Sequence, residues 1–200
     1  MTMSYLAFAT AVLFLIASPG PIISLIVSQS RLAIPKLIIV GTALAAQILL
    51  LISFTAILYA VNIDGRLLNV MQLVGGAYLL YLGWQAFLSA KEKQAMEQVN
   101  HQVGFWTALK LGLSNPKDIL FLVAFLPSFI VVDTRYVTHA MSLMLIWLVI
   151  DCSVMVMYSL LAKKIFAWKT GELLLTYTPC VTISLFGCIA IAESLMGFLS

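Results

Sequence analysis

Long apolar runs alternate with short polar breaks along the chain, and this rhythm predicts membrane-spanning helices. A first run covers Tyr5 to Ala17, stops at Ser18-Pro19-Gly20-Pro21, and resumes from Ile22 to Val27. No Lys or Arg precedes it and proline follows its small residues directly, so it reads as a span and not as a cleaved signal. A second run extends from about Leu37 to Val61 and a third from about Leu67 to Leu88, parted by the corner Asn62-Ile63-Asp64-Gly65-Arg66, which predicts a tight turn. Lys91 to Gln102 is the most polar segment and divides the chain near its midpoint as a surface linker. Beyond it, Val103 to Val132 is too long for one plain helix and contains Lys110, Asn115-Pro116-Lys117 and Asp118, so an interrupted element is expected. A fifth run spans about Val137 to Leu161. A basic linker with Lys163, Lys164 and Lys169 follows, and the last run occupies about Pro179 to Leu199.

Six crossings of about 20 residues each fit within the 200 positions and leave no room for a globular catalytic domain. The expected fold is an all-α integral membrane protein with six transmembrane segments, the first and fourth interrupted. Composition agrees: 62% of residues are hydrophobic and 10% charged, whereas a soluble domain carries charge on about a quarter of its residues. Function must then sit inside the bundle or at its mouths. No catalytic triad, metal cluster, GxGxxG or GxxxxGK[ST] stands out, so neither an enzyme nor nucleotide-powered transport is expected.

The two breaks occupy matching places, with Pro19 and Pro116 separated by 97 positions. Residues 1–90 supply three segments, 91–102 a cytoplasmic linker, and 103–200 three more, all within one membrane domain. An odd number of crossings per half turns the second half upside down relative to the first, giving an inverted repeat. Proline lacks an amide hydrogen and glycine permits sharp geometry, so each break can expose backbone polar groups. Such groups are tolerated in hydrocarbon only where protein or a water-filled cavity covers them, and paired discontinuous helices form ion and substrate sites in many secondary transporters.

The net charge of +3 does not point to nucleic acid, because the basic residues lie in the breaks between apolar runs. Arg31 and Lys36, Lys91 and Lys93, and Lys163, Lys164 and Lys169 mark the odd connections, against Arg66 and Arg135 on the even ones. This bias of seven to two places the odd connections in the cytoplasm and both termini outside it. Cys152, Cys180 and Cys188 lack metal-ligand spacing, as do His101 and His139. Tyr78, Tyr81, Trp84, Trp106 and Trp168 fall near predicted cytoplasmic boundaries and read as interface anchors.

Asp151 falls near the middle of the fifth span, where an ionised carboxylate is costly unless paired or hydrated. It is a candidate for proton coupling or solute contact, with a structural pair to Lys110 or Lys117 as the alternative. Lys117 and Asp118 stand at the second break, where the lysine can meet a solute carboxylate and the aspartate an amine or a proton; mutual neutralisation and an interfacial cap are the plainer readings. Ser18, Pro19, Gly20, Pro21, Asn115 and Pro116 are expected to face a shared cavity. Gln47 can reach the pathway or bond a neighbouring helix, Ser53 can supply a further neutral hydrogen bond in that span, and Glu193 reads as a terminal surface group.

Ser18-Pro19-Gly20-Pro21, the run Gly76-Ala77-Tyr78-Leu79-Leu80-Tyr81-Leu82-Gly83-Trp84, and Gly112-Leu113-Ser114-Asn115-Pro116-Lys117 with Phe125-Leu126-Pro127 follow one another in an order that resembles the LysE/RhtB family of bacterial amino-acid exporters. Many members have Asn where this chain has Ile22. The resemblance implies a transporter of the bacterial cytoplasmic membrane that exports an amino acid or related small solute, driven by a proton gradient and without a bound cofactor. Its partners are then the solute, protons and the lipid bilayer, and assembly into a homo-oligomer stays open. Efflux of a metal cation or another small solute, and a non-transporting membrane interaction subunit, are the competing readings.

Overall fold

The computed structural model describes residues 2–18, 20–30, 34–63, 65–91, 103–130, 132–167 and 169–199. Within these, the side chains at 2–4, 60–63, 65–69, 71, 86, 89–91, 163–167, 169–179, 193 and 197–199 fall outside the description. The described residues form eight α-helices: α1 (Thr2–Ala17), α2 (Pro21–Gln29), α3 (Lys36–Ile63), α4 (Gly65–Lys91), α5 (Phe105–Leu113), α6 (Pro116–Phe129), α7 (Tyr136–Ala167) and α8 (Lys169–Leu199). Each half of the chain thus runs as two short helices followed by two long ones.

The breaks stand where proline requires them. Pro21 and Pro116 occupy the first turns of α2 and α6, where a missing amide hydrogen is tolerated, and the residues before them, Gly20 and Asn115, are extended, as the proline ring demands. α1 and α2 meet at a bend of 59°. Gly20 has φ −146° and ψ −169°, a backbone any residue adopts. The bend is therefore proline's work, and the glycine's expected conformational freedom is not used there.

Two expectations about connections change. Of the corner after the second run, Asn62 and Ile63 are helical at the end of α3 and Gly65 and Arg66 at the start of α4. The basic linker between the fifth and sixth runs is helical on both sides of residue 168, α7 reaching Ala167 and α8 opening at Lys169, its Ala, Leu and Lys residues favouring helix. Pro19, Arg31, Asp64, Trp168, the segment 92–102 with His101, and the side chains of Arg66, Lys91, Lys163, Lys164, Lys169 and Glu193 lie outside the described residues.

Among the described residues, Lys36–Tyr59 and Tyr136–Ala162 are long and apolar enough to cross a membrane, and α1 with α2 makes a third span if the bent pair is one crossing. Large apolar side chains such as Leu51, Ile52, Leu145, Val149 and Leu160 are exposed, an outer surface that suits lipid and not water. This is an all-α, multi-pass membrane fold.

The helices approach closely where side chains are small. α4 packs most extensively against α8, and a Cβ built on Gly187 comes within 2.8 Å of the Gly76 carbonyl. α3 lies along α5, where a Cβ on Gly112 meets the Ala45 Cβ at 2.5 Å and one on Gly41 meets the Phe105 carbonyl at 2.8 Å. α1 and α2 both contact α7, just as α5 and α6 both contact α3, and α3 touches α7. The centre is filled by Phe8, Phe121 and Trp147, all essentially without exposure. The Trp147 ring lies 6.3 Å from that of Phe8 and 5.8 Å from that of Phe121.

Candidate functional site

An α-helical carbonyl accepts from the amide four residues on. Residues 19 and 21 are prolines, so the carbonyls of Leu15 and Ala17 have no such partner. Side chains from the second half of the chain supply what is missing. The Lys117 ammonium donates to Leu15 O at 2.6 Å and to Ser18 O at 2.7 Å, while the Tyr158 hydroxyl donates to Ala17 O at 2.7 Å. Gly20 leaves room beside the ammonium, since a Cβ there stands 3.7 Å from Nζ.

The second break satisfies itself locally. Pro116 deprives Gly112 of its usual donor, and the Asn115 amide takes that place at 3.1 Å. Asn115 is the N-cap of α6: its side-chain oxygen accepts from the Lys117 amide at 3.3 Å, and its side-chain nitrogen donates to Asp118 Oδ2 at 2.8 Å. Asp118 thus sits in the first turn of α6, where the helix dipole favours negative charge.

Asn115, Lys117 and Asp118 from this break line one cavity together with Ile16, Gly20, Ile22 and Ile23 from the first, and Trp147, Asp151 and Met155 from α7. Its volume is about 20 Å³, room for roughly one water. Lys117, Asp118 and Asp151 are each less than a tenth exposed. Among the described residues, one ammonium therefore faces two carboxyl groups, and with all three ionised one negative charge lacks a counter-ion there. Lys117 also has a third N–H beyond the two spent on carbonyls.

Asp151 Oδ2 and Trp147 Nε1 are buried without a hydrogen-bond partner among the described residues, and so is Ser18 Oγ. Trp147 and Asp151 stand four positions apart on α7, on one face of that helix.

Of the residues singled out from sequence, Gly20, Asn115, Lys117, Asp118 and Asp151 line the cavity. Ser18 contributes its carbonyl to Lys117, and Pro21 and Pro116 are exposed at helix starts. Gln47 instead donates to Met144 O at 3.3 Å, joining α3 to α7. Lys110 is exposed in the last turn of α5, so the pairing with Asp151 considered for it does not occur, the break having turned it away from Lys117. Burial of Lys117 and Asp118 likewise sets aside an interfacial cap. No disulfide joins the described cysteines, and no group of three or more His, Cys, Asp or Glu able to hold a metal occurs among the described residues. Trp147 and Tyr158 escaped the sequence reading. The signal available was position: Trp147 precedes Asp151 by one helical turn, and Tyr158 follows it by two.

A family model described as LysE type translocator matches residues 13–194, a stretch that contains both breaks and every residue lining the cavity. The chain belongs to this family. A homoserine/homoserine lactone efflux protein of Salmonella typhi is 33% identical over 107 residues, covering 52% of each chain. A cysteine/O-acetylserine efflux protein of Klebsiella pneumoniae is 33% identical over 133 residues, 64% of this chain and 66% of its own length. A leucine efflux protein of Salmonella choleraesuis is 31% identical over 135 residues, 64% of each. The matched stretches span about half to two thirds of these relatives. No solved structure matches. Ile22 lines the cavity beside Gly20 and gives that part of its wall an apolar surface.

Proposed function

We propose that the chain is a secondary transporter that exports an amino acid or a related small metabolite across the bacterial cytoplasmic membrane in exchange for protons. The observation that carries this reading is the buried set of Lys117, Asp118 and Asp151 around a cavity that both proline breaks help to line. One cation against two carboxyl groups calls for a further positive charge. A proton meets that need, and so does the ammonium of a solute, but a single carboxylate holds only one of them at a time. Alternate occupancy of that kind couples the two movements. The names of the three relatives given above, efflux proteins for amino acids or their derivatives, favour such a solute.

Six spans arranged as inverted halves are part of the same proposal. Supporting it are the repeated order of two short and two long helices and the exchange symmetry of the packing. α3 with α5 answers α7 with α1, α3 with α6 answers α7 with α2, and α3–α7 and α4–α8 pair each helix with its equivalent. The contact of α4 with α6 has no counterpart of similar extent between α8 and α2 among the described residues, α2 being the shorter arm. The excess of Lys and Arg on the odd connections favours a cytoplasmic linker and external termini. In such a bundle the central cavity opens alternately to the two sides as one half rocks against the other.

Counterflow in vesicles holding the purified protein, screened with amino acids, related amines and divalent cations under an imposed pH gradient, tests the reading. Amino-acid flux that follows the gradient is expected. Flux of divalent cations alone, or no solute-dependent flux from folded protein, rejects it.

A further inference from the structure

Trp147 and Asp151 both line the cavity, and each carries a buried polar atom without a partner among the described residues, one a donor and the other an acceptor. Their residues are 1% and 3% exposed, so bulk water does not serve them. Buried polar groups are paired in the great majority of cases, and an orphan in a cavity marks a place where something else binds. The indole N–H can only donate, whereas a carboxylate only accepts. A ligand satisfying both must therefore present an acceptor and a donor at close separation.

Spacing narrows the choice. Four residues apart on a helix, the two side chains are neighbours on one face, so a single small head group carrying both an acceptor and a donor can reach them together. Lys117 lines the same cavity and keeps one N–H beyond the two given to carbonyls, a second donor available for the anionic end. Ile16, Ile22, Ile23 and Met155 complete the wall with apolar surface, leaving the polar contacts to the head group.

We infer that Trp147 is a solute-recognition residue: its indole N–H and the Lys117 ammonium hold the carboxylate of a free α-amino acid whose ammonium rests on Asp151. This deepens the export reading and rests on it. A cavity of about 20 Å³ does not admit an amino acid, so the site has to widen for the solute to enter. The orphaned atoms then supply differential affinity, since they gain partners only in the solute-bound state.

The test compares a free amino acid, its carboxamide and its decarboxylated amine, using full-length wild-type protein and Trp147→Phe, which keeps the ring and removes the N–H. Counterflow reports transport, and thermal stabilisation of the purified protein reports binding apart from transport. Wild type is expected to prefer the free acid, and Trp147→Phe to weaken that preference by roughly tenfold or more, the effect of losing a hydrogen bond to a charged group, while handling of the amine stays unchanged. The ratio of acid to amide within one variant is insensitive to how much protein has folded. Stabilisation by the free acid without flux, lost in Trp147→Phe, supports recognition and rejects export. Flux with an unaltered acid-to-amide ratio in Trp147→Phe overturns recognition and leaves export standing. Neither flux nor stabilisation by any amino acid overturns both.

Discussion

The Tyr158 hydroxyl meets the Ala17 carbonyl at 2.7 Å, across 141 positions of sequence, where the ring nitrogen of Pro21 has no hydrogen to offer. Removing that hydroxyl strands a half-buried acceptor, at a cost of about 1 kcal/mol. Tyr158→Phe is expected to lower the melting temperature in detergent by several degrees while leaving solute preference unchanged. An unshifted melting curve speaks against the bond.

Lys117 has a harder substitution to survive. Lys117→Met removes two hydrogen bonds and the one cation that faces Asp118 and Asp151, and loss of one partner from a buried charged pair costs about 3–5 kcal/mol. The variant is expected to show a large fall in thermal stability and no exchange in vesicles. Lys117→Arg keeps the charge and retains part of the stability. Wild-type melting of Lys117→Met contradicts the assigned contacts.

Asp151→Asn keeps the shape of the side chain and cannot ionise. Under the proposed coupling, solute movement in this variant no longer follows an imposed pH gradient, although the protein reaches the membrane at normal abundance. Accumulation driven by the gradient as strongly as in wild type moves the proton role to another group.

The α3–α5 seam offers a packing test that does not touch the cavity. Gly112→Ala places a methyl group 2.5 Å from the Ala45 Cβ, and overpacking of this kind costs about 1–3 kcal/mol. Combining it with Ala45→Gly is expected to recover most of the lost melting temperature. A double variant no more stable than Gly112→Ala shows that the two methyl groups do not meet.

Gln47 joins α3 to α7 by a single hydrogen bond, and such bonds within membranes average about 0.6 kcal/mol. Gln47→Leu is expected to lower stability slightly and to leave the ranking of solutes intact. A changed ranking returns this residue to the pathway.

Segment order, both proline breaks and the three buried charges were legible in the sequence because each departs from an apolar background. A carboxylate in mid-span is conspicuous by its cost. Trp147 and Tyr158 were not legible, for the same reason in reverse. Where lipid surrounds a bundle, outward and inward faces are both apolar, so the pattern that shows which side of a soluble helix is buried is absent here. Trp147 looked like any other apolar residue of its run, and only the fold shows that its face is shared with Asp151. Gln47 illustrates the complementary difficulty: a polar group in a span is visible, but whether it faces a neighbouring helix or a cavity depends on packing. Lys110 and Lys117 are seven positions apart, and the break between them sends one to the surface and the other inside.

The two prolines of the first break also impose an order on assembly. The carbonyls of Leu15 and Ala17 leave the ribosome long before Lys117 and Tyr158 are made, and no amide of their own helix can serve them. An N-terminal half on its own would lack both of these donors. Its first helix is therefore expected to gain its full set of hydrogen bonds only once α6 and α7 are in place. Residues far apart in the chain thus complete one another: its beginning is finished by its end.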